Sequence, residues 1–228
     1  MGYGSRKEVK QLLKQKGVTV DGEIVKNPAM HVEPEKQEIY VYGEKVEYKE
    51  FIYLMLNKPP GVISATEDFK DRTVIDLLSP IDRHYKPFPV GRLDKDTVGL
   101  LLITNDGQLA HNILSPKKHV PKTYYAKIDG VVTEEDVQTF SHGVTLDDGY
   151  VTLPSKLEII HSGETSEIEL TIFEGKFHQV KRMFEAVGKR VVFLKRISMG
   201  DLKLDPNLKY GEYRELTNEE LESIQQKE

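Results

Sequence analysis

A polar loop that runs straight into a long apolar segment is the sequence feature that most constrains this fold. The loop covers 91–97 and the apolar segment covers 99–104 (GLLLIT). An unbroken apolar run of this length is typical of a strand buried on both faces of a sheet. The run at 51–56 has the same character and stops at a proline turn, because proline cannot donate to a strand ladder. The sequence therefore predicts a buried sheet with the carboxylate of Asp94 at its edge.

The rest of the chain alternates between short strand patterns and helix patterns. Strands are predicted at 123–128, 167–173 and 190–197, and helices near 107–114, 134–140 and 179–187. This mixture predicts an α+β fold with a large mixed or antiparallel sheet. No internal repeat or low-complexity tract interrupts it.

The N-terminal segment predicts a short basic helix. Ser5 and Glu8 have the spacing of a capping box, and Gly17 supplies the stop. Between them lies an apolar stripe of helical spacing, formed by Val9, Leu12 and Leu13.

A hairpin and a further strand follow this helix. Asp21-Gly22 favours a tight two-residue turn between strands at 18–20 and 23–25, and 39–42 predicts another strand. A unit of this size is too small to be an enzyme core, so we expect a separate module. The predicted organisation is a small domain at 1–44, a polar linker at 45–50 and a main domain at 50–228.

The formal net charge of -5 hides two basic regions. Residues 5–16 carry a net charge of about +4 and residues 175–196 one of about +6. Six glutamates in 212–228 balance much of this charge, in what we expect to be a solvated tail. A basic patch is more often a solvent-exposed face than a binding site, so the patches indicate a nucleic-acid partner only where an active site accompanies them.

The complete lack of cysteine excludes a disulfide framework and a thiolate zinc site. A reducing compartment follows from this, and the cytoplasm is the expected location. The N-terminus has no apolar signal-peptide core, and no stretch has the length needed to cross a bilayer. We therefore expect a cytoplasmic protein without a membrane partner.

From the residues alone, the loop around Asp94 has several interpretations. In the first interpretation, Asp94 or Asp96 caps a turn and Arg92 forms an ion pair with one of them. Two carboxylates two residues apart also suit a divalent ion, as in a metal-dependent transferase. Against a metal site, the histidines lack paired ligand spacing and no glycine-rich phosphate loop is present.

The segment 91–102 (GRLDKDTVGLLL) resembles the signature of the RsuA-type ribosomal RNA pseudouridine synthases. In that family the pattern Gly-Arg-Leu-Asp, a variable residue, Asp-Thr, a variable residue and Gly-Leu-Leu-Leu carries the catalytic aspartate. The resemblance implies that Asp94 is the catalytic residue and that the main domain has the pseudouridine synthase fold.

Further segments match related proteins in the same order. Residues 53–61 resemble the family's opening motif, 122–124 (KTY) the motif with the active-site tyrosine, and 174–188 the late motif that contributes a cation. Segments 4–8 (GSRKE) and 18–22 (VTVDG) resemble an RNA-binding domain shared by a small-subunit ribosomal protein and several RNA-modifying enzymes. An additional helix precedes the Ser-Arg segment in that domain, so this copy is expected to be truncated at its N-terminus.

The resemblance also implies a set of site residues. Tyr124 is expected to stack on the flipped target base, and Lys181 or Arg182 to supply a cation. Burial disfavours a charged carboxylate, so a cation beside Asp94 should offset its desolvation. The helical spacing of apolar neighbours leaves both cations near the core boundary, and the family motif favours Lys181. The substrate-binding candidates are Asn57, Lys58, Arg92, Lys122, Gln179, Arg6, Lys7 and Lys10.

The implied reaction is isomerisation of a specific uridine in ribosomal RNA, and the closing segment 211–217 resembles the small-subunit members. A large-subunit synthase of the same family and a non-catalytic RNA-binding assembly factor are the alternatives. The expected partner is ribosomal RNA or a ribosomal subunit assembly intermediate, bound by a monomer. No cofactor or metal is expected, because isomerisation exchanges no electrons and needs no group donor.

Overall fold

A computed structural model describes residues 3–225. The helices are α1 Arg6–Lys14, α2 Pro80–His84, α3 Gly107–Leu114, α4 Glu134–His142, α5 Gln179–Ala186 and α6 Asn218–Gln225. The strands are β1 Val18–Val20, β2 Glu23–Ile24, β3 Ile39–Val41, β4 Glu44–Lys45, β5 Tyr53–Lys58, β6 Phe88–Pro89, β7 Val98–Thr104, β8 Lys122–Asp129, β9 Lys156–His161, β10 Thr165–Ile172, β11 Arg190–Met199, β12 Leu202–Lys203 and β13 Tyr213–Glu215. Within the described range, no helix has the length and apolar character that crossing a bilayer requires.

The first of two compact units contains residues 3–51 and 79–86. Its helix α1 begins as predicted, because Ser5 and Glu8 form the capping box: the Glu8 amide donates to Ser5 Oγ at 3.4 Å and the Ser5 amide donates to Glu8 Oε2 at 2.6 Å. The unit buries a small apolar core of Leu13, Val20 and Val25.

Two tight hairpins build the four-stranded antiparallel sheet of this unit, whose order is β2-β1-β3-β4. The predicted turn at Asp21 and Gly22 is confirmed, with positive φ values of 51° and 84°. A second turn of the same kind at Tyr42 and Gly43 creates β4. Lys45, expected in the linker, therefore lies in a strand.

The second unit contains residues 52–78 and 87–225 and is built on a nine-stranded sheet. The main path of this sheet is β13-β5-β7-β11-β8-β10-β9, with β6 paired to β7 and β12 paired to β11. Among the described strand pairs, β7 and β11 run parallel and the others run antiparallel. The predicted α+β fold with a large mixed sheet is confirmed.

The end of the chain is part of the folded core, and the expectation of a solvated tail is wrong. Strand β13 pairs with β5 at one edge of the sheet. Three apolar side chains that follow it, Leu216, Leu221 and Ile224, pack against the core cluster that contains Met55 and Leu102. Four glutamates of this segment are exposed, namely Glu212, Glu215, Glu219 and Glu222, while Glu220 pairs with Arg214 at 2.8 Å. Residues 226–228 lie outside the described range.

Candidate active site

The second unit contains a cavity of about 870 Å³ at the predicted catalytic loop. Its wall combines that loop, the inward faces of β8 and β11, and the segment that leads into α5. The polar groups that matter for chemistry are Asp94, Lys122, Tyr124, His178, Lys181 and Arg196. The structure therefore brings three of the sequence motifs to one cavity.

Backbone hydrogen bonds hold the loop that carries Asp94. The Thr97 amide donates to the Asp94 carbonyl at 3.1 Å and closes a turn. Ser64 Oγ donates to the Leu93 carbonyl at 2.9 Å and accepts from the Leu93 amide at 3.0 Å. The Gly61 amide donates to the carbonyl of residue 95 at 2.8 Å. The Asp94 side chain, 28% exposed, is thereby fixed at the cavity wall.

Lys58 lies beneath this loop and does not line the cavity. Its side chain is fully buried, and Nζ donates to the carbonyls of Pro59, Lys95 and Thr97 at 3.1, 3.3 and 2.9 Å. Burial lowers the pKa of Lys58 to about 8, against the opposing influence of the Asp96 and Asp94 charges. A residue expected to bind substrate is thus a buried support of the loop.

Asn57 is a second predicted substrate-binding residue that is buried outside the cavity lining. Its Nδ2 donates to the Leu208 carbonyl at 2.7 Å, and β5 places it in register with Leu100 of β7. Asn57 is therefore a structural support that ties β5 to the segment before β13. Strand alternation alone does not distinguish such a support from a ligand-binding residue.

Lys181 is the cation that faces Asp94. Its Nζ lies 3.2 Å from Asp94 Oδ2, and it donates to Asp96 Oδ1 at 2.7 Å and Oδ2 at 3.0 Å. Partial burial works against the charged ammonium, yet the hydrogen bond to Asp96 and the charge of Asp94 raise the pKa of Lys181. Burial likewise opposes ionisation of Asp96, but Lys181 lowers its pKa. One cation therefore pairs with two carboxylates.

Arg182, the other predicted cation, is directed to a different place. Its Nη2 lies 2.5 Å from Asp147 Oδ1 and 2.6 Å from Asp148 Oδ2. The hydrogen bonds to Asp148 and Asp147 raise the pKa of Arg182. Adjacent positions on α5 differ by about 100° in direction, and this separates the partners of Lys181 and Arg182. The structure brings Lys181, and not Arg182, to Asp94.

Tyr124, Lys122, Gln179 and Arg92 line the cavity as the family resemblance implies. Tyr124 is 8% exposed, and Lys122 Nζ donates to the Val120 carbonyl at 3.1 Å. Gln179 is held by its neighbours, because Nε2 donates to Glu174 Oε1 at 3.0 Å. The remaining candidates, Arg6, Lys7 and Lys10, are exposed on α1 in the other unit.

Two cavity residues were given no role from the sequence. His178 Nε2 lies 3.6 Å from Asp94 Oδ1, and its ring stacks on Phe177 with 3.8 Å between centroids. Arg196 lies on β11, where burial alternates, and only 2% of it is exposed. A charged residue at an inward position of an alternating strand was a detectable signal for Arg196. His178 had no comparable signal, since it begins a helix and has a positive φ of 48°.

Within residues 3–225, no group of three or more histidine, aspartate or glutamate side chains is arranged to hold a metal ion. The two carboxylates that suggested such a site, Asp94 and Asp96, both contact Lys181. That cation supplies the positive charge next to them.

Comparisons with known proteins show the family to which the chain belongs. The RNA pseudouridylate synthase family model matches residues 52–186, and the S4 domain model matches residues 1–38. An uncharacterized RNA pseudouridine synthase of Bacillus subtilis (strain 168), YtzG, is 58% identical over 221 residues, covering 96% of this chain and 92% of the relative. Ribosomal small subunit pseudouridine synthase A of Escherichia coli (strain K12) is 43% identical over 209 residues, covering 91% of this chain and 88% of the relative.

A solved structure is similar over nearly the whole chain. It is a crystal structure of a pseudouridylate synthase with 39% sequence identity and a TM-score of 0.72, and the match covers 96% of this chain and 94% of that one. The family signature recognised at 91–102 thus agrees with similarity along the entire sequence. The chain belongs to the RNA pseudouridylate synthase family and carries an S4 domain ahead of the synthase domain.

Proposed function

We propose that this protein isomerises a specific uridine of small-subunit ribosomal RNA to pseudouridine, with Asp94 as the catalytic carboxylate. The observation that carries this proposal is the pair formed by Asp94 and Lys181 at the wall of a large cavity. Pseudouridine formation moves uracil from a nitrogen to a carbon link with the ribose. A positioned, ionised carboxylate suits that reaction as nucleophile or base.

Lys181 is the residue that pairs with Asp94 and orients it. A carboxylate that is 28% exposed loses part of its hydration, and a cation at 3.2 Å offsets the loss. The contact with Asp96 holds the ammonium group in place. Lys181 therefore acts on the reaction through its ion pair with Asp94 and through the orientation of that carboxylate.

Tyr124 is the residue on which the target base stacks. A phenol ring offers a flat apolar face, and Tyr124 lies on the cavity wall with little of its surface exposed to solvent. A uracil stacked inside an RNA helix cannot reach a carboxylate on a cavity wall, so the target nucleotide leaves its stack before it reacts. Loops and unpaired regions of the RNA are the favoured targets, since flipping costs least there.

The S4 domain is the proposed second contact with RNA. Arg6, Lys7 and Lys10 give one exposed helix a concentration of positive charge that suits phosphate groups. The small-subunit assignment is supported by relatives named for that subunit at 43–44% identity. We expect the protein to act as a cytoplasmic monomer on ribosomal RNA or on a subunit assembly intermediate, with no cofactor or metal.

Chemical mapping of pseudouridine in ribosomal RNA tests this function. RNA from cells with the gene, without it, and complemented with either the wild type or Asp94→Asn is compared. We expect one small-subunit position to lose its pseudouridine without the gene and to regain it only with the wild type. Loss of a large-subunit position instead would redirect the substrate assignment. An unchanged map would contradict the proposed activity, and a phenotype rescued by Asp94→Asn would favour a non-catalytic assembly factor.

A further inference from the structure

Arg196 places a positive charge on the inner wall of the cavity, where β11 otherwise presents apolar side chains. Leu194, two residues earlier, points to the same cavity, as strand alternation requires. Arg196 is 2% exposed, and β11 changes register against β8 directly after it. Such a bulge re-aims the side chains next to it. The arginine is therefore a built component of the cavity wall.

The guanidinium group of Arg196 is only partly satisfied. Its Nε donates to the Leu100 carbonyl at 2.9 Å, whereas Nη2 is buried and has no hydrogen-bond partner within residues 3–225. A buried charged donor without an acceptor costs several times what a normal hydrogen bond contributes. Sites that retain such a group commonly use it for a ligand.

The charges around Arg196 indicate that the missing hydrogen-bond partner of Nη2 is an electron-rich oxygen. Lys122 lies close enough that burial and the Arg196 charge together lower the Lys122 pKa. The carboxylates of the cavity wall are already bonded: Asp94 to Lys181, and Glu174 to Tyr150 Oη at 2.6 Å and to Gln179. This corner of the cavity thus has positive charge that no lining carboxylate neutralises.

The position of Arg196 relative to Tyr124 indicates that the ligand is the base. The two residues are direct partners in the antiparallel ladder between β11 and β8. Directly opposed residues project from the same face with Cβ atoms about 4.5–5.5 Å apart. A uracil stacked on Tyr124 would therefore present an edge to the guanidinium.

We propose that Arg196 donates a hydrogen bond from Nη2 to a carbonyl oxygen of the target uracil and stabilises the negative charge that the base acquires during the reaction. This inference rests on the proposed function. When the N1–C1′ bond breaks, its electron pair stays with the base, which becomes a uracil anion, and the electron-poor C1′ is compensated by the Asp94 carboxylate. The C5–C1′ bond then forms, the proton on C5 leaves, and N1 gains a proton, so that uridine and pseudouridine remain isomers. Fixed donors aimed at a developing oxyanion are a strong source of catalysis.

This role of Arg196 can be tested by changing the acidity of the departing base. Arg196→Met, Arg196→Lys and the wild type are compared in single-turnover cleavage of the N-glycoside in RNA that carries uridine or 5-fluorouridine at the target. Fluorine withdraws electrons and stabilises the anion by itself, so the need for Arg196 falls. Arg190→Met is the matched control, because Arg190 lies on the same strand, is 72% exposed and pairs with Asp129 away from the cavity.

We expect Arg196→Met to slow cleavage of uridine by about 10²-fold, and cleavage of 5-fluorouridine about tenfold less severely. Arg196→Lys should fall between Met and wild type, and it supplies the same comparison if the Met variant does not fold. Arg190→Met should match the wild type on both bases.

Three results would overturn the inference. Equal losses with uridine and 5-fluorouridine would assign Arg196 to structure alone. A loss that vanishes when the phosphate 5′ to the target is replaced by a neutral methylphosphonate would make a phosphate the ligand. A wild type that forms no pseudouridine in any ribosomal RNA would remove the proposed function and this inference together, whereas the first two results leave the function standing.

Discussion

Lys181 Nζ lies 3.2 Å from Asp94 and also donates a 2.7 Å hydrogen bond to Asp96. The Asp94 side chain is 28% exposed and that of Asp96 is 74% exposed, so the shared cation connects a carboxylate of the cavity with one near solvent. Removal of the Lys181 charge should affect Asp94 more than Asp96, because the less exposed carboxylate is less hydrated and depends more on its ion-pair partner.

The different partners of Lys181 and Arg182 give the first prediction. Lys181→Met should lower kcat/KM by about 10²- to 10³-fold, because Asp94 loses the cation that pairs with it at 3.2 Å and holds its orientation. Arg182→Met should cost less than about fivefold, because it breaks pairs with exposed aspartates and a long 3.4 Å hydrogen bond to the Phe177 carbonyl, none of which involves Asp94. Single-turnover pseudouridine formation measures both. A larger loss for Arg182→Met would show that the cation has been assigned to the wrong residue.

Lys58 gives a prediction about pH. Its pKa is lowered to about 8, below the ordinary lysine value of 10.5, so between these values the unfolded chain binds a proton that the folded protein has released. The free energy of unfolding of the wild type should therefore rise relative to Lys58→Met as pH increases across this window, by at most about 3 kcal/mol. Urea unfolding at about pH 7 and about pH 10 measures the difference. A difference that stays constant or falls with pH would refute the lowered pKa of Lys58.

Gly99 allows a test of the close contact between β7 and β11. Its φ is 102°, and a Cβ there would lie 2.3 Å from the Arg196 carbonyl oxygen. Gly149 has a φ of 82° and open space around it, so Gly149→Ala carries the backbone strain without the clash. We expect Gly149→Ala to destabilise by about 1–2 kcal/mol and Gly99→Ala by about 2 kcal/mol more. Equal losses of unfolding free energy would mean that the two strands are not this close.

The basic helix of the S4 domain should control the salt dependence of RNA binding. Lys7→Gln and Lys10→Gln should each reduce the slope of log Kd against log salt by about 0.7–0.9, because each removes one phosphate contact. Lys36→Gln is the control within the same unit, since Lys36 pairs with Glu33. Binding titrations at several salt concentrations measure the slopes. Slopes unchanged in Lys7→Gln and Lys10→Gln would exclude this helix from the RNA interface.

Much of the fold follows from local sequence, because strong periodicity and caps act over a few residues. The helix from 107 to 114 and the strands around β7, β8, β10 and β11 needed only apolar patterning and turn residues. Strand β9 was not predicted, since most of its residues are exposed at the sheet edge and its pattern is weak. Strand β13 was missed because its pairing with β5 joins positions far apart in sequence.

The site residues likewise fall into two groups: those that the local sequence predicts and those that depend on contacts between distant parts of the chain. Motif resemblance identified Asp94, Tyr124 and Lys181 as site residues, and the structure brings all three to one cavity. Choosing Lys181 over Arg182 required the direction of each side chain on α5, which apolar spacing leaves open. The strand pattern could have singled out Arg196, but its unpaired Nη2 depends on three strands meeting and becomes visible only in three dimensions.

The charge of Asp94 is tested most directly by single-turnover formation of pseudouridine in small-subunit ribosomal RNA by Asp94→Asn, with RNA affinity measured alongside. Asp147→Asn is the matched control, because Asp147 is 77% exposed and does not line the cavity. We predict that Asp94→Asn loses at least about 10³-fold in rate while its Kd for RNA stays within about threefold of the wild type. Asp94→Asn that formed pseudouridine at the wild-type rate would contradict the role of this carboxylate.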